Sequence, residues 1–267
     1  MEILSLRDVT YLQAGKEILT DITWTVQKGE TWAVLGLNGA GKSTLLRILT
    51  AEFWPSSGQV EILGIPFGQG QIPLLRKKIG IVASHISERI APSMKAEEIV
   101  LTGRYKSSIL YTQVAASEWQ DAKDMMQQLE CGHLIGRTYA SLSQGEKQKV
   151  LVARALMDQP DILILDEASN GLDFFAKEAL LKQMKALTQL EQAPLLIYVT
   201  HHVDEISDSF SHLLLLKDGH IHSQGSKAAI LQKENLEDFY GKKIQIFPLE
   251  DGRIYPLLKE EAHESHR

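Results

Sequence analysis

The stretch Thr31-Trp32-Ala33-Val34-Leu35-Gly36-Leu37-Asn38-Gly39-Ala40-Gly41-Lys42-Ser43-Thr44-Leu45-Leu46 decides the fold of this chain. Its first five residues read as a buried strand that ends at Gly36. Over residues 42–51 the apolar positions Leu45, Leu46, Ile48 and Leu49 take the spacing of one helix face. Between strand and helix, residues 36–43 fit G-x-x-x-x-G-K-[ST], in the strand–loop–helix setting that this pattern requires. The chemistry explains the residue types. Backbone N–H groups must curl round phosphate oxygens, glycine lets the chain come that close, and the new helix adds the positive end of its dipole. Lys42 can reach β- and γ-phosphates, and the Ser43 hydroxyl can ligate Mg²⁺. The bland alternative is a glycine-rich turn; the flanking strand and helix count against it. Gly36, Asn38, Gly39, Ala40, Gly41, Lys42 and Ser43 are therefore the candidate phosphate-binding residues.

Outward from this loop, residues 79–83, 162–165 and 195–199 are further strand candidates. Residues 119–129, 146–157 and 176–190 read as helices. Strands alternating with helices predict an α/β domain with a largely parallel sheet. Residues 85–159 carry helical patterns without a clear strand and read as a helical insertion. The first 30 residues or so and residues 213–223 look like short strands with turns, Lys217-Asp218-Gly219-His220 being a hairpin signal. A weak strand pattern at 244–247 precedes a polar tail whose last residues, 263–267, are expected to fray.

Composition sets the outer limits. The chain has 267 residues, 44% hydrophobic and 23% charged, enough for a sizeable core and unlike a disordered or collagen-like chain. Its net charge of −6 gives no global attraction for nucleic acid, and no nucleic-acid partner is expected. The single cysteine, Cys131, forbids an internal disulfide and fits a reducing compartment. No apolar stretch approaches the ~18–20 residues that span a bilayer, and the N-terminus does not read as a signal peptide. A soluble, cytosolic chain is expected, with any membrane role reached through a partner.

A phosphate loop serves kinases, GTPases, helicases and transport ATPases alike, so later motifs must decide. Ile162-Leu163-Ile164-Leu165 runs straight into Asp166-Glu167, placing two acids at the C-terminal end of a buried strand, where open α/β sheets bind ligands. Asp166 suits Mg²⁺, directly or through water, and Glu167 suits a base that orients an attacking water. Upstream lies Ser141-Leu142-Ser143-Gln144-Gly145-Glu146-Lys147-Gln148, ahead of a helix. This segment resembles the L-S-G-G-Q signature of ATP-binding cassette (ABC) ATPases. With residues 36–44, 162–167, Asn170-Gly171-Leu172-Asp173 and Thr200-His201, the resemblance covers nearly the whole chain in the family's order.

The resemblance implies a P-loop NTPase (RecA-like) α/β core with an antiparallel β subdomain and an inserted helical subdomain. It divides the chain into an ATPase domain, 1–240, and a C-terminal extension, 241–267. Within the domain, 1–84 and 160–240 form the nucleotide-binding core and 85–159 the helical signature subdomain. It also implies that Thr44 touches the α-phosphate, and that Ser143 and Gly145 bind the γ-phosphate of ATP held by a second chain. Asp173 would cross the dimer interface. His201 would contact the γ-phosphate and steady Glu167; catalysis would thus rest on Glu167, His201 and Lys42. ATP and Mg²⁺ are the expected cofactors. The expected partners are a second copy, or a related ATPase, and a separate transmembrane permease at the inner face of the membrane.

The sequence departs from the family in places. Ser84, followed by His85, replaces the glutamine expected after the strand at 79–83, and His85 is a candidate substitute. Gln144, Glu146 and Ala168 replace commoner residues. Gln13 holds the usual place of the adenine-stacking aromatic and Tyr11 stands two residues earlier, so Tyr11 is a candidate for stacking on adenine, against a packing role in its strand. The resemblance leaves two functions open. One is the cytoplasmic ATPase subunit of an ABC transporter, with residues 97–105 resembling importers of the metal-chelate or siderophore type. The other is a soluble ABC ATPase that remodels a non-membrane partner, as in iron–sulfur assembly.

Overall fold

The computed structural model describes residues 1–107, 109–110 and 113–259; the tail expected to fray lies outside them. A six-stranded sheet has the order β10-β9-β3-β8-β7-β6. Its members are β3 (Trp32–Gly36), β6 (Ile79–Val82), β7 (Ile162–Asp166), β8 (Leu195–Thr200), β9 (His212–Lys217) and β10 (His220–Ser226). All neighbours run parallel except β10, which forms the expected hairpin with β9. A second, antiparallel sheet has the order β2-β1-β4-β5, from β1 (Glu2–Gln13), β2 (Lys16–Gln27), β4 (Ser57–Ile62) and β5 (Ile65–Pro66).

The helices are α1 (Lys42–Leu49), α2 (Ile72–Lys77), α3 (Ser84–Ser87), α4 (Ala96–Tyr105), α5 (Ala116–Gln128), α6 (Gln144–Leu156), α7 (Phe174–Thr188), α8 (Lys227–Ile230) and α9 (Lys233–Tyr240). Among the described residues no helix is long and apolar enough to cross a membrane.

The continuous apolar runs of β3, β7 and β8 follow from burial on both faces, as in parallel sheets. Alternate residues feed two cores. Ala33, Leu35, Leu163, Leu165, Leu196 and Tyr198 join the core built with α4 to α7. Trp32, Val34, Ile162, Ile164, Ile197 and Val199 join the core shared with α1 and the antiparallel sheet. The helices between residues 85 and 159 therefore bury their apolar faces on the sheet as well as on one another. Two glycines set how closely: a Cβ on Gly80 of β6 would collide with the Ala155 carbonyl, and one on Gly103 of α4 with the Arg154 carbonyl. The C-terminal half of α6 is thus held backbone to backbone on two sides.

Some elements differ from the sequence reading. The N-terminal segment forms two strands of 12 residues each rather than short ones. The strand expected at 244–247 is β11 (Ile244–Pro248), and it pairs with an unanticipated β12 (Ile254–Leu258). Pro256 and the exposure of Leu257 and Leu258 had hidden that strand. The hairpin is fastened by Arg253, which donates to both carboxylate oxygens of Glu178 on α7 at 2.7 and 3.0 Å.

Candidate functional site

Strand register brings the predicted residues to one edge. Leu35 pairs with Thr200, and Asp166 with Val199. The C-terminal ends of β3, β7 and β8 are therefore level, and the segments that leave them converge. Gly39 and Gly41 take positive φ, 82° and 100°. At Gly41 a side chain is excluded twice, since a Cβ would also lie 2.7 Å from Leu19 Cδ2. No side chain caps α1 and no acid stands in its first turn, so its first N–H groups remain available to an anion. Ser43 and Thr44 lie in that turn, Ser43 exposed and Thr44 half-buried.

Lys42 is 6% exposed and its ammonium is held from two sides. It donates to the carbonyls of Gly36 at 2.8 Å and Leu37 at 3.2 Å, and pairs with Glu167 Oε1 at 3.1 Å. Glu167 also meets His201 Nδ1 at 3.3 Å and accepts from the Asn170 amide at 2.7 Å. Its backbone is left-handed, φ 48°, an uncommon conformation for a non-glycine residue. The N–H of Glu167 donates to Val199 at 2.9 Å, which holds that turn against β8. Burial works against the Glu167 charge, but Lys42, His201 and Asn170 outweigh it and hold the carboxyl below its usual range. Asp166 goes the other way. Burial, and then the charge of Glu167, push it up to about 6, with Lys42 and Arg47 offsetting only part. Adjacent carboxylates thus take opposite characters.

A cavity of about 180 Å³ opens beside these residues, lined by Ser43, Ser84, Asp166, Glu167, Asn170 and Gln144 among others. The donor set fits a hard divalent cation. Asp166 is a carboxylate whose charge is only partly compensated by Lys42 and Arg47, and Ser43 lines the same space. No cluster of three or more His, Cys, Asp or Glu able to hold a metal occurs among the described residues. A cation here would need oxygens from its ligand and from water, as Mg²⁺ accepts. Ser84 fronts the cavity, whereas His85 turns to Glu52, 3.7 Å from its Nε2; burial, with Glu52 opposing it, lowers the His85 pKa.

Other predicted residues lie apart from this cluster. Ser143 N-caps α6: its hydroxyl accepts from the Glu146 N–H at 3.2 Å, and Glu146 accepts from the Ser143 N–H at 2.7 Å. Arg137 pairs with Glu146 at 2.6 Å. The departure at 146 is therefore a capping box, S-x-x-E, a signal available in the sequence. Ser143 is exposed, Gly145 half-exposed, and neither lines the cavity. Asp173 N-caps α7 through the Ala176 N–H at 2.9 Å. Tyr11 lies in β1 with its ring parallel to Phe53, 5.1 Å between centroids, and the Arg47 guanidinium lies 5.0 Å from that Phe53 ring. Sequence reasoning placed Asn170 in a motif without giving it a role, and missed Phe53 and a buried acid, Glu205, beside the histidine turn; neither of these two carries a spacing signal of its own.

Comparison with known proteins places this geometry. The family model described as ABC transporter matches residues 19–170. The chain is 50% identical over 250 residues to the uncharacterised ABC transporter ATP-binding protein YmeB of Lactococcus lactis, covering 94% of this chain and 96% of that one. It is 32% identical over 249 residues to the hemin import ATP-binding protein HmuV of Photobacterium damsela, covering 91% of each. Among solved structures it resembles an ABC transporter in an inward-facing conformation, assigned provisionally to the metal-chelate type. There the TM-score is 0.78 at 25% identity, over 97% of this chain and 99% of the other. It also resembles cbiO1 of Clostridium perfringens, part of the ABC transporter complex cbiONQ, with a TM-score of 0.76 at 26% identity over 89% and 93%.

Proposed function

The chain belongs to the ABC transporter family, as an ATP-binding subunit that hydrolyses ATP for transport, and on that premise we propose that two copies close over two ATP molecules beneath a separate membrane permease. The observation that carries this reading is a separation. The Lys42–Glu167–His201 cluster closes on itself at the end of the sheet, while Ser143, exposed, and Gly145, half-exposed, take no part in it and do not line the cavity beside it. One chain thus leaves Ser143 and Gly145 unengaged by its own cluster, open to the γ-phosphate of ATP held by a second copy. Gly36, Asn38, Gly39, Ala40, Gly41, Ser43 and Thr44 bind the phosphates, with Tyr11 beside the adenine. Lys42 neutralises the β- and γ-phosphates. Phosphate oxygens compete with Glu167 for that lysine, which frees the carboxylate to orient water, and His201 holds Glu167 in place. Ser43 and Asp166 would hold Mg²⁺, which supplies neutralising charge at the phosphate oxygens.

The helical segment 85–159 acts as the signature-bearing unit, 1–84 and 160–240 as the nucleotide core, and 241–267 as an extension. The subunit works at the cytoplasmic face of the membrane. Import of a metal chelate is the cargo class favoured by the likeness to the hemin import protein and to the metal-chelate type transporter.

Glu167→Gln tests the reading. Binding groups remain while water activation is lost, so turnover should fall by about 100-fold or more and an ATP-bound dimer should accumulate, seen by light scattering. A variant that hydrolyses ATP like the parent, or stays monomeric with saturating ATP, would refute it.

A further inference from the structure

A fully buried carboxylate lies outside the phosphate cavity. Glu205 is 1% exposed, and an acidic side chain so buried requires partners. Its Oε2 accepts from the Tyr198 hydroxyl at 2.7 Å and from the Thr200 hydroxyl at 2.6 Å. Its Oε1 lies 3.3 Å from the Lys177 ammonium, which also donates to Asp204 at 2.9 Å. Thr200 Oγ1 accepts in turn from the His202 N–H at 2.9 Å, and the Glu205 N–H donates to the His202 carbonyl at 3.3 Å. The residues on both sides of His201 are therefore fastened to Glu205.

The same group reaches toward the other catalytic segments. Lys177 stands on α7, one turn beyond Asp173. Ser169, between Glu167 and Asp173, is near enough to the Tyr198 hydroxyl to oppose the rise in its pKa. We propose that Glu205 is a positioning residue, which sets the His201 ring against Glu167 and, through Lys177, ties that ring to the helix beginning at Asp173. This rests on the role given to His201 above. The physical argument is distance. A His201–Glu167 contact of 3.3 Å is near the limit of a hydrogen bond, so a small shift of the turn breaks it, and a misplacement of about 1 Å can cost about 100-fold in rate. A pure brace would predict lost stability alone.

A double-mutant cycle on the full chain separates the two, with thermal unfolding recorded alongside. Glu205→Gln keeps the shape and removes the charge. Its kcat should fall about 10-fold or more with KM for ATP within about twofold. In the His201→Ala background, followed by single-turnover assay, the same change should cost less than about twofold, because no ring is left to place. The ¹⁵N shifts of the His201 ring, which report its tautomer, should move in Glu205→Gln. If that variant does not fold, Lys177→Met carries the same cycle, with Lys177→Arg restoring most of the rate. Parental kcat in Glu205→Gln, or a loss that multiplies in full on His201→Ala, overturns the proposal and leaves His201 in its role. Parental turnover in His201→Ala itself overturns both.

Discussion

The two ends of the nucleotide machinery are built on opposite principles. At the sheet edge, Lys42 and Glu167 are held by several partners at once, and the lysine is nearly inaccessible. At the start of α6, Ser143 is exposed and Gly145 half-exposed, and the Ser143 hydroxyl serves the helix cap. The first region is costly to perturb because Lys42 has left water and its charge depends on that of Glu167. The second is cheap to perturb locally, so any large effect there must come from something outside the chain.

The largest expected effect is at the buried end. Lys42→Ala removes a charged donor from the phosphates and should weaken ATP binding by about 100-fold, the upper range for a charge-assisted hydrogen bond. Equilibrium titration with a fluorescent ATP analogue measures it; unchanged affinity would erase the contrast between the two ends. Ser143→Ala sharpens it from the other side. Loss of the cap should cost about 1 kcal/mol in thermal unfolding. ATP affinity of the dilute monomer should stay unchanged, while turnover at high protein concentration falls about 10-fold or more. A weakened monomer affinity would mean that the exposed end belongs to the chain's own site.

The last effect concerns Asp166, touches stability rather than turnover, and has the opposite sign. Its folded pKa of about 6 lies above the ordinary 3.8, so the folded state binds the proton more tightly than the unfolded chain. Stability is then lost as pH rises from about 4 to about 6, and the penalty stays at neutral pH. Asp166→Asn should raise stability of the nucleotide-free protein at pH 7 by on the order of 1–2 kcal/mol. The gain should vanish below about pH 4, and on the role proposed for Asp166 the same variant should weaken Mg²⁺-dependent ATP binding. Unfolding curves at pH 4 and 7 check it; a loss of stability at pH 7 would show that Asp166 braces the fold.

The contrast also explains what the amino-acid order disclosed. The phosphate loop was legible because its chemistry is local: backbone N–H groups, two glycines with positive φ and one lysine, all inside eight residues. Asp166 and Glu167 were legible because a fully apolar strand delivers them. Glu205 was not, since its meaning depends on Tyr198, Thr200 and Lys177 arriving from β8 and α7. His85 was a candidate stand-in for the missing glutamine; only tertiary packing shows it turned toward Glu52, with Ser84 facing the cavity. β4, Ser-Gly-Gln-Val-Glu-Ile, escaped notice because one-sided burial leaves too little apolar pattern over six residues.

The close seating of Gly80 and Gly103 against the far end of α6 makes that helix a beam clamped backbone to backbone at one tip and held only through side chains at the other. A push delivered to Ser143 by an opposing molecule is not absorbed by soft side chains at the clamp, because carbonyl meets Cα there. The stiff route from there runs through β6, whose next residues lead to Ser84 and the cavity wall. Two missing methyl groups thus turn a surface touch into a mechanical signal at the fuel.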